Sequence, residues 1–226
     1  SGVYKIKKGH LSVEYFSPYL LSPDNIRPDK YIRDIVKDSK GYIWSGGFYN
    51  LKCFDLSLNS VRLYPGINSV TAITEKDDGH MWIGTSAGLY LLDKESGRFQ
   101  YVALQEETTY INTLQAEDLS LYIGTNGSGV VVYNAKDNTF KHYHKDNCAL
   151  ISNNIYTILP ESDGHILMST ETESAVSTLR RRHSTTGPKS KLMSSCFSAS
   201  SGTLRKNKGF VFGSTDGAIE FPEGQV

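Results

Sequence analysis

Apolar residues in this chain fall in short alternating bursts, each cut off by Gly, Asp or Asn. The clearest stretch is "GHMWIGTSAGLYLLD" (Gly79 to Asp93), where two apolar runs flank a Ser-Ala-Gly break. Alternation with a period of two is the mark of a strand with one face inward. The same grammar returns upstream in "GYIWSGGFYNLKCFD" and downstream in "LYIGTNGSGVVVYN", "GHILMSTETESAV" and "GFVFGSTDGAIEF". Aligning the small residue that ends the first run gives Gly46, Gly84, Gly124, Ser169 and Gly213, at steps of 38, 40, 45 and 44 residues. Apolar spacing of three or four is not sustained anywhere, so no long helix is expected.

A repeat of ~40–45 residues made of strands is the period of propeller blades. The second full unit shows the plan. "SVTAIT" is its first strand, "KDDG" an Asp-Gly hairpin turn, "HMWIGT" its second strand and "GLYLLD" its third. "KESG" makes the next turn and "RFQYVA" the fourth strand. The expected fold is therefore all-β, a β-propeller of four-stranded blades, with blades at about 26–66, 67–106, 107–150 and 151–191. Residues 1–25 resemble the second half of a unit, and residues 192–226 the first three strands of another. If the two partial pieces pair, they close a five-bladed ring; if not, the chain is an arc of a larger propeller.

Composition narrows the function only by exclusion. Lys plus Arg and Asp plus Glu are both 24, so the net charge is zero and no surface-wide polyanion site is expected. Cys53, Cys148 and Cys196 are too scattered for a metal or disulfide framework. No apolar run reaches the ~18 residues of a membrane-spanning helix.

"MWIGTSAGLYLLD" and "LYIGTNGSGVVVYN", with the wider pattern of Asp, Gly and Trp-Ile-Gly-Thr, resemble the two-component regulator propeller repeat. That resemblance implies the periplasmic sensor region of a bacterial hybrid two-component histidine kinase, part of an inner-membrane-anchored protein. It implies that the segment is not itself an enzyme and needs no cofactor. Its partners would be a glycan-derived oligosaccharide or similar signal, neighbouring domains of the same sensor and a second copy in a homodimer, with no nucleic acid contacted. Family members form larger rings, so the chain would be a C-terminal portion of such a sensor. Two alternatives stand beside this: a metal-dependent lyase of the propeller type, and a protein-interaction scaffold.

One stretch departs from the repeat. "SAVSTLRRRHSTTGPKSK" (Ser174 to Lys191) is basic and free of aromatics where an apolar third strand and an aromatic fourth belong. It is either a polar insertion or a segment translated out of frame, with the frame restored near Leu192. In the second case the fourth blade lacks its outer strand.

Candidate chemistry is sparse. "GTNGSGV" is Gly-rich, but a strand follows it, so it reads as a turn and not a phosphate loop. Trp44 and Trp82 hold the same place in successive units, as packing between blades requires. His142 and His144 share a strand face without a third metal ligand at suitable spacing, and no metal site or catalytic residue is expected. A ligand would meet the loops between second and third strands and between blades. The expected contacts are Phe48 and Tyr49 for stacking, Arg27, Lys30 and Asn126 for hydrogen bonds, and Tyr110 on the next linker.

Overall fold

The computed structural model describes residues 3–6, 13–16, 31–57, 59–104, 110–148, 150–160, 165–170, 175–180, 190–192, 197–205, 209–214 and 217–222, with side chains described only between residues 31 and 170. All the described elements are strands. Two compact units divide the chain: Ser1–Thr85 with Tyr90–Tyr101, and Ser86–Leu89 with Val102–Val226.

In the first unit β1 (Val3–Ile6) and β2 (Val13–Phe16) form an antiparallel pair. The next sheet runs in order β3 (Ile32–Lys37), β4 (Ile43–Gly47), β5 (Tyr49–Asp55) and β6 (Ser60–Asn68). After it come β7 (Val70–Asp77), β8 (His80–Thr85), β9 (Gly88–Asp93) and β10 (Phe99–Val102), again in sequence order.

The second unit repeats the plan with β11 (Ile111–Glu117), β12 (Ser120–Thr125), β13 (Val130–Asn134) and β14 (Thr139–Tyr143). A further sheet joins β15 (Ile155–Pro160), β16 (His165–Thr170), β17 (Ala175–Arg180) and β18 (Ser190–Leu192). The last has three strands, β19 (Phe197–Arg205), β20 (Gly209–Ser214) and β21 (Gly217–Pro222). The sheet of β1 and β2 and that of β19 to β21 each stand as a sheet of their own.

The fourth four-stranded sheet bears on the out-of-frame reading alone, which left it without an outer strand. It has an outer strand, since Ala175 pairs with Leu192 and Ser177 with Ser190. The strand is only three residues long. Residues 181–189, the basic core of the departing stretch, lie outside the described residues.

The repeat has a backbone signature. Each four-stranded sheet opens with a one-residue register skip in its first hairpin, between Ile32 and Asp34, Val70 and Ala72, Ile111 and Thr113, and Ile155 and Thr157. The residue after the skip pairs with the aligned small residue: Asp34 with Gly46, Ala72 with Gly84, Thr113 with Gly124, Thr157 with Ser169. Such a bulge bends and twists the strand it sits on.

Small residues at that point let sheets close on each other. A Cβ on Gly46 would lie 2.3 Å from Cγ1 of Val70, on the following sheet. One on Gly124 would lie 2.9 Å from Cγ2 of Ile155. Between the first two four-stranded sheets Trp44, Leu51, Tyr64, Val70, Ile73 and Met81 belong to one buried cluster. Between the next two, Tyr122, Val130, Ile155 and Met168 do the same. Burial of such side chains at roughly 25 cal/mol per Å² is the main force that joins neighbouring repeats.

A polar bond crosses the first seam as well. Asp34 accepts the backbone N–H of Ile73 at 2.7 Å through one oxygen and that of Ile35 at 2.8 Å through the other. Burial is the larger influence on this carboxyl and outweighs both bonds, raising its pKa to about 6.

Candidate functional site

The β4–β5 connection carries the first pair of residues expected to meet a ligand. Gly47 has to be glycine there, because a Cβ would stand 2.1 Å from the carbonyl oxygen of Tyr31. The chain then turns outward, leaving Phe48 52% exposed. Its ring meets that of Tyr49 edge-on, with centroids 5.4 Å apart. The Phe48 carbonyl accepts the Ser69 N–H at 3.1 Å, which ties the loop to the link between sheets. Tyr31 beside it is 70% exposed. An aromatic surface at this end of the sheet is therefore real.

In the second unit, Tyr110 and Asn126 come together. The Asn126 N–H donates to the Tyr110 carbonyl at 3.0 Å, and Asn126 forms a bridge with Asn154. The amides of the Gly-rich turn are used internally. Those of Gly127 and Gly129 donate to the Asn153 carbonyl, and that of Ser128 to Thr125 Oγ1. A phosphate cradle needs such N–H groups pointing outward, so the turn reading holds for a physical reason. Arg27 and Lys30 lie outside the described residues.

Sequence reasoning missed a second feature, at the opposite hairpin ends of the first unit. A groove of about 460 Å³ opens between the β3–β6 and β7–β10 sheets. Its base is a cross-strand row in which Trp44 pairs with Cys53 and Cys53 with Arg62. One row nearer the solvent, Asp55 pairs with Ser60. The second sheet contributes its turns, with Asp78 and Gly79 from one and Lys94 and Glu95 from the other.

A half-buried ionic clasp holds the inner wall. Lys94 Nζ donates to Glu75 Oε1 at 2.7 Å and to Asp38 Oδ2 at 3.3 Å. Glu75 in turn accepts the N–H and hydroxyl of Ser39, at 2.7 and 2.9 Å, so the clasp crosses from one sheet to the other. Asp38 also accepts Trp44 Nε1 at 2.9 Å and the N–H groups of Lys40 and Tyr42. Burial pushes the Asp38 carboxyl up, but the Trp44 and Tyr42 bonds and the Lys94 charge together hold it below the usual carboxylate range. Burial raises the Cys53 thiol and the Tyr64 phenol each to about 12, so both keep their protons near neutrality.

Both aromatic faces here are taken by the protein's own cations. The Arg62 guanidinium lies 4.8 Å from the Tyr64 ring centroid, and Lys94 Nζ 5.8 Å from that of Trp44. The signal in the sequence was an Arg that strand alternation turns toward an apolar seam, and a Lys in the hairpin turn of the next repeat. Nothing short of the sheet-to-sheet distance shows that the seam opens there. Among the described residues no group of three or more His, Cys, Asp or Glu is placed to hold a metal ion.

Residues 65–87, from late β6 to the β8–β9 turn, match the family model of the two component regulator propeller. No curated protein matches the chain. Among solved structures it is similar to the extracellular domain of BT3049, a hybrid two component system from B. thetaiotaomicron, with a TM-score of 0.74 and 18% identity over 99% of this chain and 31% of that one. It is also similar to the extracellular domain of BT4673, a one component system from B. thetaiotaomicron, with a TM-score of 0.69 and 16% identity over 86% of this chain and 28% of that one. A streptogramin B lyase gives a TM-score of 0.68 at 14% identity, over 88% of this chain and 71% of the lyase. At such identities the likeness is one of fold, and the fold is that of propeller proteins. The chain spans about a third of the length of the extracellular domains it matches.

Proposed function

We propose that this chain is a ligand-sensing propeller segment of a two-component regulator, lying outside the cytoplasm and doing no chemistry of its own. One observation carries the reading: a chain with a two component regulator propeller match follows the fold of a hybrid system's extracellular domain over 99% of its length. The signal is a glycan-derived oligosaccharide. Phe48 and Tyr49 offer it a half-open aromatic surface on the first unit, with Arg27 and Lys30 donating to hydroxyls or carboxylates; Tyr110 and Asn126 are a separate candidate contact on the second unit. Binding acts on the kinase only if it favours one of two arrangements of this segment and its neighbouring domains, within one sensor or across a homodimer.

Titration of the purified chain with a panel of oligosaccharides tests this. At least one should bind, and Tyr49→Ala should weaken it by about fivefold, the equivalent of roughly 1 kcal/mol of lost ring contact. An unchanged affinity removes Tyr49 from the site. Failure of every oligosaccharide to bind the wild-type chain removes the glycan reading.

A further inference from the structure

The groove at the other hairpin ends presents fixed charges of both signs that the glycan reading does not use. Arg62 is held in two ways: its guanidinium carbon lies over the Tyr64 ring, and its Nη2 donates to the Glu95 carbonyl at 2.7 Å. A guanidinium so held is a fork suited to a carboxylate. Asp55 is fixed too, since its Oδ1 accepts the N–H and hydroxyl of Ser57 at 2.9 and 2.6 Å. Cys53 is the register partner of Arg62, and Asp55 comes two residues later on the same strand face. The two charged groups thus start from rows roughly 7 Å apart.

This arrangement discriminates among ligands. A neutral sugar ring wants an open aromatic face, and here Arg62 and Lys94 cover those of Tyr64 and Trp44. Trp44 and Tyr64 are themselves only 1% and 3% exposed. A simple anion would gain Arg62 and Lys40 but face Asp55, Asp78 and Glu95 across the same opening. A simple cation would meet the reverse conflict. A ligand with one charge of each sign, a few ångströms apart, matches the Arg62 and Asp55 rows of the one sheet. The volume of about 460 Å³ lies within the ~300–1,000 Å³ usual for small-molecule sites.

We propose that this groove binds a small zwitterion, of the size of a free amino acid or dipeptide, with its carboxylate on Arg62 and its ammonium on Asp55. Lys40, 54% exposed at the mouth, is paired with Asp78 at 3.8 Å and is left outside the proposed contacts. The site is independent of the oligosaccharide reading, since it lies at the other ends of the same strands and takes a different ligand class.

The test is a calorimetric titration of the chain with the free amino acids and with diglycine. It is repeated with the N-acetylated and the amidated form of any ligand that binds. At least one zwitterion should bind, and blocking either end should weaken it by about tenfold or more. Arg62→Met, which keeps an apolar stem over Tyr64, and Asp55→Asn should each weaken the same ligand to a similar degree, with thermal melting confirming that the variants fold. The proposal fails if no zwitterion binds at millimolar concentration, or if the blocked forms bind as well as the parent. It fails equally if folded Arg62→Met and Asp55→Asn bind like the wild type. The blocked-ligand comparison needs no variant, so it decides even if a substitution unfolds the chain.

Discussion

Two aspartates at the first seam answer acid in opposite directions. Asp34 has its pKa raised to about 6 by burial, so between about pH 4 and 6 the folded chain binds a proton that the unfolded chain does not. Its stabilising contribution is full below that window and lost as pH rises through it, an effect of at most about 3 kcal/mol. Asp38 lies below its ordinary value, so its contribution holds above about pH 4 and is lost only as pH falls further. Urea unfolding at pH 4.5 and pH 7 should therefore show the wild-type chain gaining stability on mild acidification, and Asp34→Asn should flatten that gain. Neither role is legible in sequence. "IRDIVKD" reads as a strand entering a turn, and only the approach of the β7 backbone turns Asp34 into a half-buried acceptor.

At the scale of the element, much could be read in advance. The strands "HMWIGT" and "GLYLLD" coincide with β8 and β9, because alternation and Asp-Gly turns are local signals. The aligned small residues were visible as well, but not what they touch. Gly46→Ala places its Cβ 2.3 Å from Val70 and should cost about 1–3 kcal/mol in urea unfolding, as an overpacked contact does. Gly124→Ala, 2.5 Å from Thr113 Cγ2 and 2.9 Å from Ile155 Cγ2, should behave likewise. Gly79→Ala is the control: its Cβ would meet only Asp77 Oδ1, at 3.5 Å, and the loss should stay within roughly 0.5 kcal/mol. Of the residues expected to meet a ligand, Phe48 and Asn126 do fall between strands, whereas Tyr49 opens β5. The groove was not legible, because Arg62 and Lys94 belong to different sheets and no sequence spacing reports the gap between them.

Across the whole molecule, the repeat gives equivalent residues unequal work. Ile35, Ile73, Leu114 and Ile158 share one register position, immediately after the residue that pairs with the aligned small residue. The last three are 3%, 8% and 2% exposed, whereas Ile35 is 52% exposed. Ile73→Ala should therefore cost about 2–5 kcal/mol and Ile35→Ala less than about 1 kcal/mol, measured by chemical denaturation of both variants. Sequence identity at a repeat position cannot reveal this, since burial depends on what stands in front of each sheet. The one-residue skip that opens every four-stranded sheet has a wider consequence. Because the described seam of each unit closes on the same small residue, Gly46 against Val70 and Gly124 against Ile155, a repeat inserted at either seam by recombination would meet neighbours shaped for it. Such a gene can change its number of units without inventing a new interface.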